Sequence, residues 1–235
     1  MLEYFGYILA SVLAKEVTVI HGAAKEPEIS QLCRFLNNMG AVICGMGTDH
    51  LMVQGVAGLH DSSFRVEGDR IVAGTYGAAA VAAGGEVLLR GICPSDLKVP
   101  LEEFQKAGAA VDADEENCQI RICMRKRPLP LLIKTEPYPG FPTDLQSPFM
   151  AFLATALGTS YIEEQVFEGR FATAKILEQM GAVIRTENQR AVIEGHYPLK
   201  GAAVNACDLR GGAALMVAAL AAEGDTFIGE CHHIE

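Results

Sequence analysis

The 235-residue sequence has no tryptophan, and aromatic residues make up only 7% of it. That leaves few rings on which nucleobases could stack. Positive charge is also short: 19 Lys and Arg stand against 29 Asp and Glu, a net charge of −10. Binding to a phosphate backbone is driven by Lys and Arg, so nucleic acid is excluded as the main partner. A small anion held by a few converging arginines is not excluded. No apolar run reaches the roughly 18 residues that would suggest a membrane span. The apolar opening, MLEYFGYILASVLA, carries Glu3 where a signal peptide needs positive charge. The seven cysteines (33, 44, 93, 118, 123, 207 and 231) include no CxxC pair; free thiols in a reducing, cytoplasmic compartment are expected. Cys231-His232-His233 stands without a second ligand pair, so no metal site is expected. Walker, HExxH and nucleophile-elbow motifs are missing, and Gly45-Met46-Gly47 lacks the third glycine of a dinucleotide fingerprint, so no cofactor is expected.

What is present is a repeat. Half the residues are hydrophobic and glycine is plentiful at 24, which suits a tightly packed α/β protein. Four segments share one design, a small-residue helix leading into a short β-branched strand: 4–22, 76–92, 147–166 and 211–230. Between them lie three copies of a second design, at 28–56, 99–123 and 170–196. Each is an amphipathic helix ending in Gly-Ala, followed by a strand pair with a polar turn. Gly40, Gly108 and Gly181 are placed to close the last helical turn in a left-handed conformation. The pattern predicts a β-α-β-α-β-β unit recurring about every seventy residues. Helices without a polar face belong at a crowded centre. The amphipathic ones, with Arg34, Glu102-Glu103 and Glu178 on one side, belong further out. A composition dip at 60–69 marks the expected domain boundary. The sequence opens inside a helical pattern and stops just after a strand, so the fold is expected to be incomplete at both ends.

Candidate chemistry clusters between Tyr138 and Phe171. Pro139, Gly140 and Pro142 brace the backbone ahead of Asp144, a carboxylate at the start of an apolar helix. Asp69 and Asp208 precede two other small-residue helices, where an N-cap is the ordinary role of such a residue. Arg170 and Arg210 each adjoin glycine, which lets a ligand approach the guanidinium closely for charge-assisted binding of a carboxylate or phosphate. His21, His50, His60 and His196 are scattered and are assigned no catalytic role. Arg125-Lys126-Arg127 reads as a solvated linker.

Several motifs resemble one family across essentially the whole sequence. FPTDLQSPF (141–149), FEGRF (167–171), MGAVI (180–184), CDLRGGAAL (207–215), HHIE (232–235), AAKEPEI (23–29) and GTDHLMVQGV (47–56) are similar, in order, to the bacterial UDP-N-acetylglucosamine enolpyruvyl transferases. The resemblance implies an inside-out α/β prism of two domains, each with three repeat units. It makes 1–67 the last part of the first, catalytic-loop domain and 68–235 most of the second. It also implies transfer of enolpyruvyl from phosphoenolpyruvate to the 3-hydroxyl of UDP-N-acetylglucosamine, with release of phosphate, at the first committed step of peptidoglycan synthesis.

In this likeness Asp144 corresponds to the family's proposed base, within reach of the sugar hydroxyl. Val166 corresponds to a residue lining the nucleotide-sugar site. Arg170 and Arg210 correspond to arginines around the phosphoenolpyruvate anion. None of the seven cysteines matches the family's catalytic cysteine, and its Lys-Asn pair and a further loop arginine have no counterpart here. Gly169 stands where asparagine is usual. The expectation is therefore half a catalytic site, inactive alone. The sister enzyme acting on shikimate 3-phosphate has an arginine-lysine-glutamate signature that is not found. The alternative from another class is a non-catalytic domain of the same fold that binds a nucleotide sugar or regulates a partner.

Overall fold

The computed structural model describes residues 2–233; Met1 and the Ile234-Glu235 end of the HHIE motif lie outside the described residues. The chain divides into two compact units, Met1–Glu67 and Gly68–Glu235. The first runs α1 (Leu2–Ser11), β1 (Val17–His21), α2 (Pro27–Asn38), β2 (Val42–Cys44) and β3 (His50–Gln54), with the antiparallel sheet ordered β1-β3-β2. Ile8 of α1, Val12 just beyond its end, and Ile29, Cys33 and Leu36 of α2 share a core with Ile43, Leu51 and Val53 from the inward positions of the sheet.

The second unit repeats this plan. α3 (Arg70–Ala83), β4 (Glu86–Arg90), α4 (Lys98–Lys106), β5 (Ala110–Asp114) and β6 (Gln119–Cys123) form the first copy, with sheet order β4-β6-β5. β7 (Leu132–Lys134), α5 (Gln146–Leu153), β8 (Thr159–Glu163), α6 (Ala172–Gln179), β9 (Val183–Glu187) and β10 (Arg190–Glu194) form the next, ordered β7-β8-β10-β9 with β7 parallel to β8. Among the described residues this is where the full β-α-β-α-β-β unit appears. Ahead of α3 the expected opening strand is missing: the Glu67 N–H donates to Gln31 Oε1 rather than to a ladder. The final copy holds β11 (Leu199–Lys200), β12 (Ala203–Asn205), α7 (Leu209–Ala219), β13 (Ala222–Glu223) and β14 (Phe227–Gly229). Its strands pair in parallel as β11-β13 and β12-β14. The single strand expected after α7 is split, because matched breaks at Gly201 and Gly224 interrupt both partners.

Each amphipathic helix ends in the same way. Gly40, Gly108 and Gly181 have φ of 95°, 97° and 86°. Their N–H groups donate to the carbonyls of Asn37, Gln105 and Glu178, and the N–H groups of the following alanines reach Leu36, Phe104 and Leu177. This is the double bond of a Schellman closure. The buried alanines 41, 109 and 182 then lead into the sheets.

α3, α5 and α7 pack against one another at the centre of the second unit. All eight residues of α5 are buried. Its Phe149 stacks on Phe104 with centroids 4.7 Å apart and meets Phe141 edge-on at 4.8 Å. Small residues are needed for this approach: a Cβ on Gly77 would lie 2.7 Å from the Phe104 ring and 2.8 Å from Ile122 Cδ1. We expect Gly77→Val to lower the unfolding free energy of this unit by about 1–3 kcal/mol. Urea denaturation that leaves the midpoint unchanged would contradict that packing.

Two sequence expectations need correction. Glu103 is buried, not on the outer face of α4; Lys106 covers it with a 2.6 Å ion pair. Arg127 is not part of a solvated linker. Its guanidinium donates to the Thr155 and Ala156 carbonyls, at 3.0 and 2.8 Å, and lies over the Tyr197 ring. It thereby pairs two carbonyls of the turn that follows α5.

Candidate functional site

Three aspartates precede central helices, and the structure separates their roles. Asp69 caps α3, accepting from the N–H groups of Ile71 and Val72 at 2.7 and 3.1 Å. Asp208 caps α7 through the Gly211 N–H at 2.7 Å. Asp144 makes no cap bond. It sits in a single 3-10 turn, Thr143–Leu145, just before α5. Its side chain faces two guanidinium groups instead.

Arg170 reaches Asp144 Oδ1 at 2.6 Å and Arg210 reaches Oδ2 at 3.0 Å. Arg170 also donates through its second nitrogen to Thr143 Oγ1 at 2.8 Å and lies over the Phe167 ring. Its fork is therefore fixed at three points. The Asp144 side chain is 30% exposed and each arginine side chain 26%, so the triad is partly shielded from water yet open to a ligand. An open cleft of about 460 Å³ runs past these groups, lined also by Ser147, Phe167, Glu168, Thr173 and Asp208. Burial pushes the Asp144 carboxyl up, but the Arg210 and Arg170 charges outweigh that and hold it below 3.8. With both arginines attached it is a weak base.

The three charged candidates thus meet, although up to 66 residues separate them in sequence. Val166 does not line this cleft; it lies on the loop that carries Arg170, with its N–H bonded to Glu164.

Glu164 is the residue that sequence reasoning missed. It is fully buried and accepts four hydrogen bonds: from the hydroxyls of Thr135 and Thr143, at 2.9 and 2.8 Å, and from the N–H groups of Val166 and Phe167, at 2.9 and 3.1 Å. One carboxylate therefore ties the end of β7, the turn bearing Asp144 and the loop bearing Arg170. A readable signal existed, since Ser160, Ile162 and Glu164 share the inward phase of β8 and its extension. An acid in that phase needs partners.

We expect Glu164→Gln to cost about 2 kcal/mol of stability, because an amide donor would then face groups that are themselves donors. Binding of a small anion in the cleft should weaken with it as the loop and turn lose their common anchor. A variant matching the parent in both urea midpoint and calorimetric titration would remove Glu164 from the site.

Residues 7–235 match the family profile of EPSP synthase (3-phosphoshikimate 1-carboxyvinyltransferase). The UDP-N-acetylglucosamine 1-carboxyvinyltransferase of Hyphomonas neptunium is 44% identical over 229 residues, 97% of this chain and 54% of that protein. The protein of the same name from Brucella ovis is 44% identical over 97% of this chain and 53% of its own length. The chain therefore spans about half the length of these relatives. Among solved structures, the enolpyruvyl transferase NikO from Streptomyces tendae superposes with a TM-score of 0.84 at 24% identity, over 98% of this chain and 55% of that one. EPSP synthase from Acinetobacter baumannii gives 0.70 at 18% identity, over 95% and 55%. At these identities the structures show a shared fold, and that fold is the enolpyruvyl transferase type.

Proposed function

The chain belongs to the EPSP synthase family of enolpyruvyl transferases, and from that premise we propose that it supplies one wall of a site that transfers enolpyruvyl from phosphoenolpyruvate to the 3-hydroxyl of UDP-N-acetylglucosamine. Phosphate is released, and the reaction is the first committed step towards peptidoglycan in the cytoplasm. The observation that carries this reading is the meeting of Asp144, Arg170 and Arg210 in one cleft. The nucleotide sugar is favoured over shikimate 3-phosphate by the 44% identity to relatives named for it.

The geometry suggests an order of events. Phosphoenolpyruvate offers its anionic groups to Arg170 and Arg210, which must then loosen their hold on Asp144. Losing two cationic neighbours raises the proton affinity of that carboxylate. Asp144 can now accept the proton of the sugar 3-hydroxyl, whose oxygen adds to C2 of phosphoenolpyruvate while C3 gains a proton. The arginines remain beside the charge of the tetrahedral adduct. Loss of a C3 proton and of phosphate from C2 then restores the double bond. Val166, on the loop before Arg170, is assigned to the nucleotide-sugar side.

The acid that protonates C3 is a separate requirement. Among the described residues lining the cleft, Asp208 is engaged in capping α7 and Glu168 is the other carboxyl besides Asp144. We assign that proton to the part of the relatives' length that this chain does not span and expect the chain alone to bind without turning over.

Equilibrium dialysis and a phosphate-release assay test the reading together. UDP-N-acetylglucosamine should be retained, shikimate 3-phosphate should not, and no phosphate should appear. Retention of shikimate 3-phosphate alone would overturn the substrate assignment. Sustained phosphate release would overturn the assignment of the acid to another part of the site. Nucleotide-sugar retention that is indifferent to phosphoenolpyruvate would favour a binding or regulatory domain.

A further inference from the structure

The Cys93 and Cys118 sulfurs lie 3.7 Å apart, although 25 positions separate them in sequence. A rigid frame brings them together. β4 and β6 are antiparallel with Arg90 opposite Gln119, so Cys118 sits one residue outside the ladder and Cys93 three residues beyond it. The Cys118 carbonyl accepts the N–H groups of Gly91 and Ile92 at 2.8 and 3.3 Å, which clamps the β5–β6 turn onto the chain just ahead of Cys93. Cys118 itself has φ of 49°, a left-handed conformation uncommon for a residue with a side chain. Both side chains are half-buried, reachable by a small reagent yet too confined to swing apart freely.

We propose that Cys93 and Cys118 form a reversible disulfide site that responds to low-molecular-weight disulfides. In the first step the Cys118 thiolate attacks the reagent RSSR, forming a mixed disulfide at Cys118 and releasing one RS⁻. The Cys93 thiolate then attacks the Cys118 sulfur, forming the Cys93–Cys118 bond and expelling the second RS⁻. Two protein thiols lose two protons and two electrons, and one RSSR becomes two RSH. The bond would fasten the β5–β6 turn to the segment entering α4, where the Gly68 N–H donates to the Gly91 carbonyl as the chain enters the second unit. In the dithiol state burial, followed by the shared hydrogen bond with Cys118, pushes the Cys93 thiol up to about 11, and the burial persists once Cys118 carries the mixed disulfide. The second step is accordingly slow near neutrality and accelerates with pH, by about tenfold per unit, as the thiolate fraction grows.

This inference is independent of the catalytic reading. The reduced full chain is incubated with oxidised glutathione at pH 7, 8 and 9, quenched by alkylation, and analysed by intact mass and peptide mapping. The expected product has lost about 2 Da with no retained glutathione, and its digest links the peptides of Cys93 and Cys118. Its rate should rise with pH. Cys93→Ser should instead keep a stable glutathione adduct on Cys118. Persistent adducts on both cysteines of the parent, a preferred cross-link between other cysteines, or no reaction at Cys118 would each overturn the proposal.

Discussion

Asp144→Asn is expected to bind phosphoenolpyruvate about tenfold or more tightly than the parent chain, while a protein carrying the complete site loses transfer. In the parent, Asp144 occupies both guanidinium groups, at 2.6 and 3.0 Å. An incoming anion must therefore displace a carboxylate already in place. Charge-assisted hydrogen bonds are worth about 1.5–3 kcal/mol each, and asparagine keeps the shape without the charge. The released arginines should favour any small dianion. Transfer fails for a different reason, since an amide cannot take the proton of the sugar hydroxyl.

The same substitution has a pH signature. The folded-state pKa of Asp144 lies below its ordinary 3.8, so the ion pairs stabilise the fold fully above about pH 4. That contribution disappears as pH falls from 3.8 through the lower folded value. Thermal unfolding of the parent should therefore lose stability in this acid range by more than Asp144→Asn does. Parallel curves, together with unchanged phosphoenolpyruvate affinity, would show that Asp144 does not compete for the arginines.

Arg210→Ala carries the second large expected effect, a loss of phosphoenolpyruvate affinity of roughly 30- to 100-fold. Arg170→Lys should cost nearly as much, although it keeps the charge. Arg170 holds Asp144 and Thr143 with two nitrogens of one planar fork and lies over Phe167. A lysine ammonium is a point donor and cannot reproduce that set. Isothermal titration of each variant measures both losses. Arg170→Lys binding as well as the parent would mean that charge alone, and not the fork, holds the anion.

Much of this was legible in the sequence for local reasons. Gly-Ala after each amphipathic helix demands a particular backbone closure, and that closure is present at Gly40, Gly108 and Gly181. The small-residue helices lack a polar face and so occupy the centre, where Gly77 lets Phe104 approach. Asp144, Arg170 and Arg210 were marked by nearby proline or glycine residues, and the resemblance supplied their roles. What escaped was tertiary. Arg127 in a basic run and Glu103 in an acidic pair have solvated compositions, and only the packing of α5 and Lys106 gives them partners. Glu164 shows the same limit more sharply. Its neighbour Glu163 is a partly exposed strand-end acid, and the two-residue alternation along β8 marks Glu164 as inward without naming the two threonines and two backbone N–H groups that seal it.

The central claim is that a bound anion takes Arg170 and Arg210 from Asp144 and so turns a weak base into a competent one. The most direct measurement is the Asp144 carboxyl pKa, read from its side-chain 13C shift during a pH titration with and without phosphoenolpyruvate. The pKa should lie below 3.8 in the free chain and rise on binding. If phosphoenolpyruvate saturates the chain and the pKa stays where it was, the arginines have not changed partners and the account fails.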